Sequence, residues 1–520
     1  MLSGLGGREI AVSSMTAATG RLLARTLILA SLFVRLLLAA GLGFAVDEAY
    51  TLAVSRHFQL SWFDHPPMAF WLAWGGQSLF GPDALHLLLR LPFVLLFCAS
   101  SALLYRLTER LYGPLAGVWA LISFTLTPFF FLSAGGWIVP DGPLIFFLLL
   151  AANLLIRVLF ETVSPREAWV LWLGAGLAIG LAGLSKYLAV FFPLGLGLFL
   201  LFSRHHRVWL RHFAPWCAAL LAFLTLLPVW IWNAGHDWAS FVFQSGRAAP
   251  GGRWRPDHLF TVLGGQAAYL LPWTFGGLII AVSRTVRRSK RESADALLLW
   301  LSLPPITVMT LLPLFGAAGL PHWEMPGWLF VFPLLGRWIS ELELGGKRVH
   351  KVTLVLSLAT MGLLILFVTS QAQLGWLQRV LPQGQKQMDP TWELVEWRGL
   401  REALQQRGFG QPDRLLISTR WMEGGRIQRE LPGYPVTVWD EDPRGFAFST
   451  GSSAFLGRDA LIITRNLSEA DILARYRQFF DSIEKLTPVT ISRNGDPEFE
   501  VSLYLAKTMR KEFPLPFQAR

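Results

Sequence analysis

Charge is scarce in this 520-residue sequence: Asp, Glu, Lys and Arg make up 16% of it, against the roughly 25% of an average soluble domain. That leaves too little polar surface to coat a water-soluble globule of this length, which excludes a cytosolic enzyme. Disorder is excluded too, because such chains are poor in bulky apolar residues. Cysteine is nearly absent, and Cys98 and Cys217 both lie inside apolar runs. Neither a disulfide scaffold nor a cysteine metal quartet is available. No internal repeat or low-complexity stretch is evident. What is abundant is apolar: 53% of residues are hydrophobic and the mean hydropathy is +0.44. The 23 Trp and 38 Phe are side chains of the kind that gather at bilayer boundaries. The chain reads as an integral membrane protein.

A net charge of +11 would point to nucleic acid in a soluble protein. Here the cations sit in short runs between apolar segments, so no nucleic-acid partner is expected and the runs serve as a topology signal. A membrane-crossing helix needs ~20 mostly apolar residues. On that measure about eleven spans are expected, near 26–46, 87–105, 114–132, 143–160, 168–184, 187–203, 213–232, 262–282, 296–314, 326–340 and 352–370. The first lacks a small-residue cleavage site and reads as a retained helix. One set of connecting loops collects Arg8, Arg21, Arg25, Arg106, Arg110, Arg157, Arg166, Arg204, Arg207 and Arg211. The same set holds Arg284, Arg287, Arg288, Lys290, Arg291, Arg337, Lys347, Arg348 and Lys351. The opposite loops hold only Arg56, Lys186, Arg247, Arg253 and Arg255. The rich side is therefore cytoplasmic, and an odd number of crossings places the tail outside. Residues 1–370 are expected to form the transmembrane domain and 371–520 a soluble domain. Its short β-branched runs alternate with helical spacing, which predicts a small α/β unit.

The residues that carry chemistry fall on the outer side. The first outer loop opens with Asp47-Glu48-Ala49-Tyr50 and closes with Phe63-Asp64-His65-Pro66-Pro67. Paired carboxylates at the end of a membrane helix are costly unless solvated or paired. A solvated loop start accounts for them equally well. Asp141 follows Pro140 directly before an apolar span and suits a helix N-cap as well as a site carboxylate. Lys186, between two spans with almost no loop, can snorkel to the surface or meet an anionic head group. Arg90, at the start of the second span, admits the same two readings. Arg35, near the middle of the first, is expected to face the bundle interior. The large outer loop carries Arg247, Arg253-Trp254-Arg255 and Asp257-His258, which suits phosphate and sugar contact or plain solvation. His65, His322 and Glu324 with Asp47 or Asp64 offer donors for a divalent metal ion, although their spacing matches no standard ligand motif.

At these positions the sequence resembles bacterial members of the protein O-mannosyltransferase-like superfamily. That group includes the lipid A aminoarabinose and galacturonic acid transferases. Asp47-Glu48-Ala49-Tyr50, Asp64-His65-Pro66-Pro67 and the Trp-rich segment after them (Trp71, Trp74) carry the likeness most strongly. Pro140-Asp141, Leu184-Ser185-Lys186, His322-Trp323, Trp421 and Leu431-Pro432-Gly433-Tyr434-Pro435-Val436 extend it over most of the chain. The resemblance implies a GT-C fold and a glycosyltransferase that takes its sugar from a polyprenyl-phosphate donor. It implies the inner membrane, with membrane lipids around it and the active site and soluble domain on the periplasmic side. It implies that Asp47 is the general base, with Glu48 and Asp64 as further catalytic carboxylates that orient the acceptor or bind a metal ion. Asp141 would shape the cavity, Lys186, Arg90 and Arg255 would hold phosphate, and His65, His322 and Glu324 would bind substrate. One displacement with one base should invert the anomeric centre. The aminoarabinose transferases typically carry Glu-Lys-Pro-Pro where this chain has Asp64-His65-Pro66-Pro67, so their sugar and acceptor are not carried over.

The expected acceptor is lipid A, a lipopolysaccharide component or another envelope glycan, with a protein hydroxyl as the alternative. An acceptor phosphate, being ionised already, would need no base. A lipid-linked sugar transporter or flippase is the rival from another class, and a scaffold whose outer domain binds a partner is a third. Transporters place polar groups at the bilayer midplane within repeated halves. Here the carboxylates gather at one face, which favours an enzyme.

Overall fold

The computed structural model describes residues 15–248, 254–291, 293–317, 319–380, 389–409, 412–449 and 451–516. Arg8 and Arg253 lie outside these residues. Among the described residues six helices are long and apolar enough to cross a bilayer: Ala17–Gly41, His86–Tyr112, Asp141–Phe160, Pro165–Ser185, Ala294–Phe315 and Val349–Leu374. Three bent helix pairs pass the same test together, each a broken span or a re-entrant loop: Pro114–Thr125 with Phe129–Gly136 (86°), Phe213–Thr225 with Leu227–Ala234 (43°) and Pro256–Leu270 with Pro272–Arg288 (103°). The protein is thus a multi-pass helical membrane protein with up to nine crossings by length and composition among the described residues. Two of the eleven expected spans prove shorter. The sixth is the apolar Tyr187–Phe202, and the tenth contains the 13-residue Phe332–Leu344 behind a separate short helix, Met325–Leu329. The apolar runs are there, but a 3₁₀ turn over Tyr187–Val190 and the prolines Pro326 and Pro333 divide them.

Without a hydrophobic drive between helices inside lipid, small residues allow the close approach that makes van der Waals packing count. Gly176, Gly180 and Gly183 form such a stripe on Pro165–Ser185. A Cβ at Gly176 would lie 2.3 Å from the Ala218 carbonyl oxygen, and one at Gly180 2.6 Å from Thr225 Cβ. The last span, by contrast, leaves Leu356, Leu358, Leu363 and Leu366 exposed, as a lipid-facing helix does.

The soluble domain carries a five-stranded sheet in the order β2-β1-β3-β5-β4. The strands are β1 (Leu415–Ser418), β2 (Val436–Val438), β3 (Ala460–Thr464), β4 (Phe480–Arg493) and β5 (Asp496–Met509). β1 pairs in parallel with β2 and β3, and β5 runs antiparallel to β3 and β4. One face of the sheet buries Leu415, Ile417, Ile462 and Tyr504 with Trp439 and Tyr476. The other face buries Leu416, Val436, Ile463 and Leu503 together with Tyr50, Trp62 and Phe70 of the first outer hairpin. The sheet therefore shares its core with the membrane domain. Contact is closest where the helix Trp421–Glu430 lies on the helix Val46–Val54: a Cβ at Gly425 would stand 2.7 Å from the Tyr50 backbone nitrogen.

Candidate active site

The helix Val46–Val54 begins with its own cap, as the Glu48 carboxylate accepts the Ala45 N–H at 2.9 Å. Successive residues of an α-helix are about 100° apart, so Asp47 and Glu48 face different surroundings. Glu48 is fully buried and accepts from Arg90 Nε at 2.8 Å, Arg90 Nη2 at 2.6 Å and the Ile138 N–H at 3.1 Å. Arg90 also donates to the carbonyls of Ala39, Leu42 and Gly43. This network ties the first outer helix to the span His86–Tyr112 and to the loop before Asp141. It consumes both groups, so Glu48 and Arg90 do not line the candidate site.

Asp47 opens instead into a cavity of about 410 Å³. Three carboxylates, Asp47, Asp64 and Asp141, and three cations, Lys186, Arg247 and Arg444, line it. Lys186 sits in extended backbone (φ −156°, ψ 140°) where Pro165–Ser185 ends, and its Nζ donates to Asp141 at 2.9 Å. Pro140, not Asp141, occupies the cap position of the following helix, so the Asp141 side chain serves Lys186 rather than the helix end. Asp64 is buried and accepts the Tyr50 hydroxyl at 2.8 Å, while that hydroxyl accepts the Gly445 N–H at 2.9 Å. Tyr50 therefore joins a site carboxylate to the soluble domain.

The enclosure shapes the charges. Burial raises the Asp47 carboxyl above its ordinary value; Glu48 and Asp141 add to this and Arg444 opposes it. Burial also raises Asp64, against the pull of Arg444 and the Tyr50 hydroxyl. His65 and His322 are driven down to about 3, first by burial and then by Lys186, so both are neutral. His322 stacks on Phe129, with ring planes 8° apart.

The sequence singled out Asp47, Asp64, His65, Asp141, Lys186 and His322, and all of these line the cavity. Arg255 does not; it is exposed and donates to Asp257 at 2.8 and 3.1 Å. Glu324 is buried away from the cavity, near Thr310, whose hydroxyl it accepts at 3.4 Å. Burial raises its carboxyl to about 7. Among the described residues no three His, Cys, Asp or Glu side chains gather as metal ligands. Of the donors considered for a divalent ion, Asp47, Asp64, His65 and His322 share the cavity without converging at ligand spacing, and Glu324 lies apart. Reading the sequence missed Arg444, which comes from the soluble domain with a left-handed backbone (φ 51°), and the wall formed by Trp137 and Tyr269; Trp421 entered only through the family resemblance.

The arrangement offers a carboxylate open to the cavity, a lysine held at a buried carboxylate, and aromatic faces for a sugar ring. Comparisons with known proteins agree with this reading. Residues 64–232 match the family model described as dolichyl-phosphate-mannose-protein mannosyltransferase. The lipid A galacturonosyltransferase RgtD of Rhizobium johnstonii is 26% identical over 280 residues. That alignment takes in 52% of this chain, which so spans about half (55%) of that relative's length. Crystal structures of ArnT from Cupriavidus metallidurans superpose with TM-scores of 0.64 in the apo state and 0.63 with undecaprenyl phosphate bound. Each is 14% identical and covers 94% of this chain and 98% of its own. The fold is that of ArnT, and the chain is related to the mannosyltransferase-like glycosyltransferases its motifs resemble.

Proposed function

We propose that this protein is an inner-membrane glycosyltransferase that moves a sugar from a polyprenyl phosphate to lipid A at the periplasmic face. The observation that carries the reading is the shared cavity. Asp47 opens into it, and the Lys186–Asp141 pair at 2.9 Å lines it. Those groups match the two needs of the reaction.

An acceptor hydroxyl attacks the anomeric carbon and passes its proton to Asp47. The bond from that carbon to the phosphate oxygen breaks, and its electron pair stays on the phosphate. Lys186 faces the charge that grows there, so it favours the transition state over the ground state. A base positioned this way contributes about 10²- to 10⁴-fold. One displacement inverts the anomeric centre. Asp64, held by Tyr50, orients the acceptor. The distribution of cations along the chain supports a periplasmic site. The name of the Rhizobium relative supports lipid A as acceptor, and the undecaprenyl phosphate bound to ArnT supports a polyprenyl donor.

Mass spectrometry of envelope lipids from cells with and without the protein tests the proposal. Lipid A lacking one sugar in the cells without it is the expected result. Unchanged lipid A with a sugar missing from a protein or another glycan would redirect the acceptor. Identical envelopes, and membranes inactive with polyprenyl-phosphate sugars, would overturn the function.

A further inference from the structure

A second recess, of about 770 Å³, lies against the same outer helix as the cavity. The outer hairpin forms one wall through Arg56, His57, Gln59 and Gln77, and the soluble domain forms the other through Gln428 and Tyr434. Most of these polar groups are committed. Gln77 Nε2 donates to the Leu52 carbonyl at 3.1 Å and to Ser55 at 3.2 Å. Gln428 Nε2 donates to the carbonyls of Leu431 and Tyr434, and the Tyr434 hydroxyl to that of Phe409. Arg56 is the exception. It is half-buried, and its guanidinium has neither a hydrogen-bond acceptor nor an ion pair among the described residues. Asp83, whose charge acts on it, is bridged instead to Arg401 at 3.1 Å. A cation partly stripped of water and left unpaired costs free energy that an anionic ligand offsets.

The edge of the recess suits lipid. His57 and Ser78 line it, while their chain neighbours Phe58, Leu79 and Phe80 are 52%, 79% and 46% exposed. The hairpin helix Met68–Phe80 has 13 residues, too few to span a bilayer. Its exposed apolar side chains, with Trp71 and Trp74 against Phe58, suit an element lying in the membrane interface. The recess is also near the chemistry. On the helix Val46–Val54, Asp47, Tyr50 and Thr51 line the cavity, whereas Ala53 and Val54 line the recess. From Asp47 to Val54 the helix rises about 10 Å, within the span of a head group of two sugar rings.

Resting on the function proposed above, we infer that this recess is the docking site of the acceptor and holds the anionic saccharide head group of a glycolipid. Arg56 meets a phosphate or carboxylate of that head group, and the acyl chains stay in the bilayer beside Phe58, Leu79 and Phe80. The reacting hydroxyl lies at Asp47, so the anion held by Arg56 is remote from it. A remote contact is made alike in the ground state and the transition state, and therefore sets KM rather than kcat.

The test uses the full-length protein in membranes with one polyprenyl-phosphate sugar as donor. Three acceptors are compared: phosphorylated lipid A, the same lipid A freed of phosphate, and phosphate-free lipid A bearing an acidic sugar. Arg56→Gln should raise the KM of at least one anionic acceptor about tenfold, and the one that responds identifies the anion Arg56 meets. The KM of the neutral acceptor, the KM of the donor and kcat should move less than about twofold. Arg56→Lys, which keeps the charge, should restore part of the loss. A Cβ at Gly433, in the recess wall, meets nothing within 4 Å, so Gly433→Phe should fill space there and raise the KM of all three acceptors without lowering the melting temperature. Acceptor KM values unchanged in either folded variant, or raised equally by Arg56→Gln for charged and neutral acceptors, overturn the inference and leave the glycosyltransferase reading standing. A wild type that transfers to none of the three would end both.

Discussion

Asp47 and Glu48 are neighbours in the chain, yet Glu48 is sealed against Arg90 at 2.6 Å while Asp47 faces the cavity. The pair divides one short helix between a buried ion pair and a carboxylate open to the cavity, the one proposed above to act on substrate.

Asp47→Asn should lower transfer by at least about 100-fold, the loss expected for a general base, measured as kcat with purified donor and acceptor. The sign of the stability effect is opposite. Because the folded protein raises the Asp47 carboxyl, the fold carries a penalty that grows as pH climbs past the unfolded value. Asp47 keeps contact with solvent, which screens most of that penalty, so Asn should shift thermal unfolding at neutral pH upward only slightly as activity disappears. A variant that melts lower than the wild type would contradict the raised carboxyl.

For the same reason kcat/KM in the wild type should rise with pH along a limb centred above the ordinary aspartate range. The two cavity histidines, held near 3, should contribute no limb between pH 5 and 8. Replacing His322 with Gln and repeating the profile checks this. A lost limb would show that His322 titrates in the working range.

Lys186→Met should lower kcat/KM for the polyprenyl donor by about 10- to 100-fold, mostly through kcat, the range for losing one charge-assisted contact. It also leaves Asp141 buried without its partner. Asp141→Asn in the same background should therefore recover stability but not donor use, read by melting and by donor titration.

Arg90→Ala should cost about 3 to 5 kcal/mol in stability, since it strands Glu48 as a buried unpaired charge. Chemical denaturation in detergent measures it. If Glu48 instead acted on substrate, the Glu48→Gln variant would lose activity while keeping its stability.

Much of this site was visible in the sequence because its parts lie in short outer loops, where polar residues stand out against apolar spans. Asp47, Asp141 and Lys186 each border such a span, and Asp64 stands near the close of the loop that Asp47 opens. The different fates of Asp47 and Glu48 were harder to see, since the distinction needs a helix over 46–54 that a nine-residue loop segment does not announce. Arg444 left no local trace at all. It reaches the cavity through a docking of Gly425 onto Tyr50, and contacts at that sequence separation follow from shape rather than from periodicity. The bent spans were legible as apolar runs but not as bends, because composition records how greasy a segment is and not which way it turns.

Gly425→Val should weaken the seat of the soluble domain, as any side chain there meets the Tyr50 backbone. A loss of about 1 to 3 kcal/mol is expected for such overpacking, with faster proteolysis between the domains as the readout. Unchanged cleavage with full activity would mean that the seat is looser than its geometry.

Tyr50 accepts from Gly445 of the soluble domain while donating to Asp64. One hydroxyl thus makes the C-terminal sheet domain a structural component of the cavity wall. Grafting that domain from a relative would exchange the Trp421 and Arg444 wall along with it, while Asp47 and Lys186 stay with the bundle.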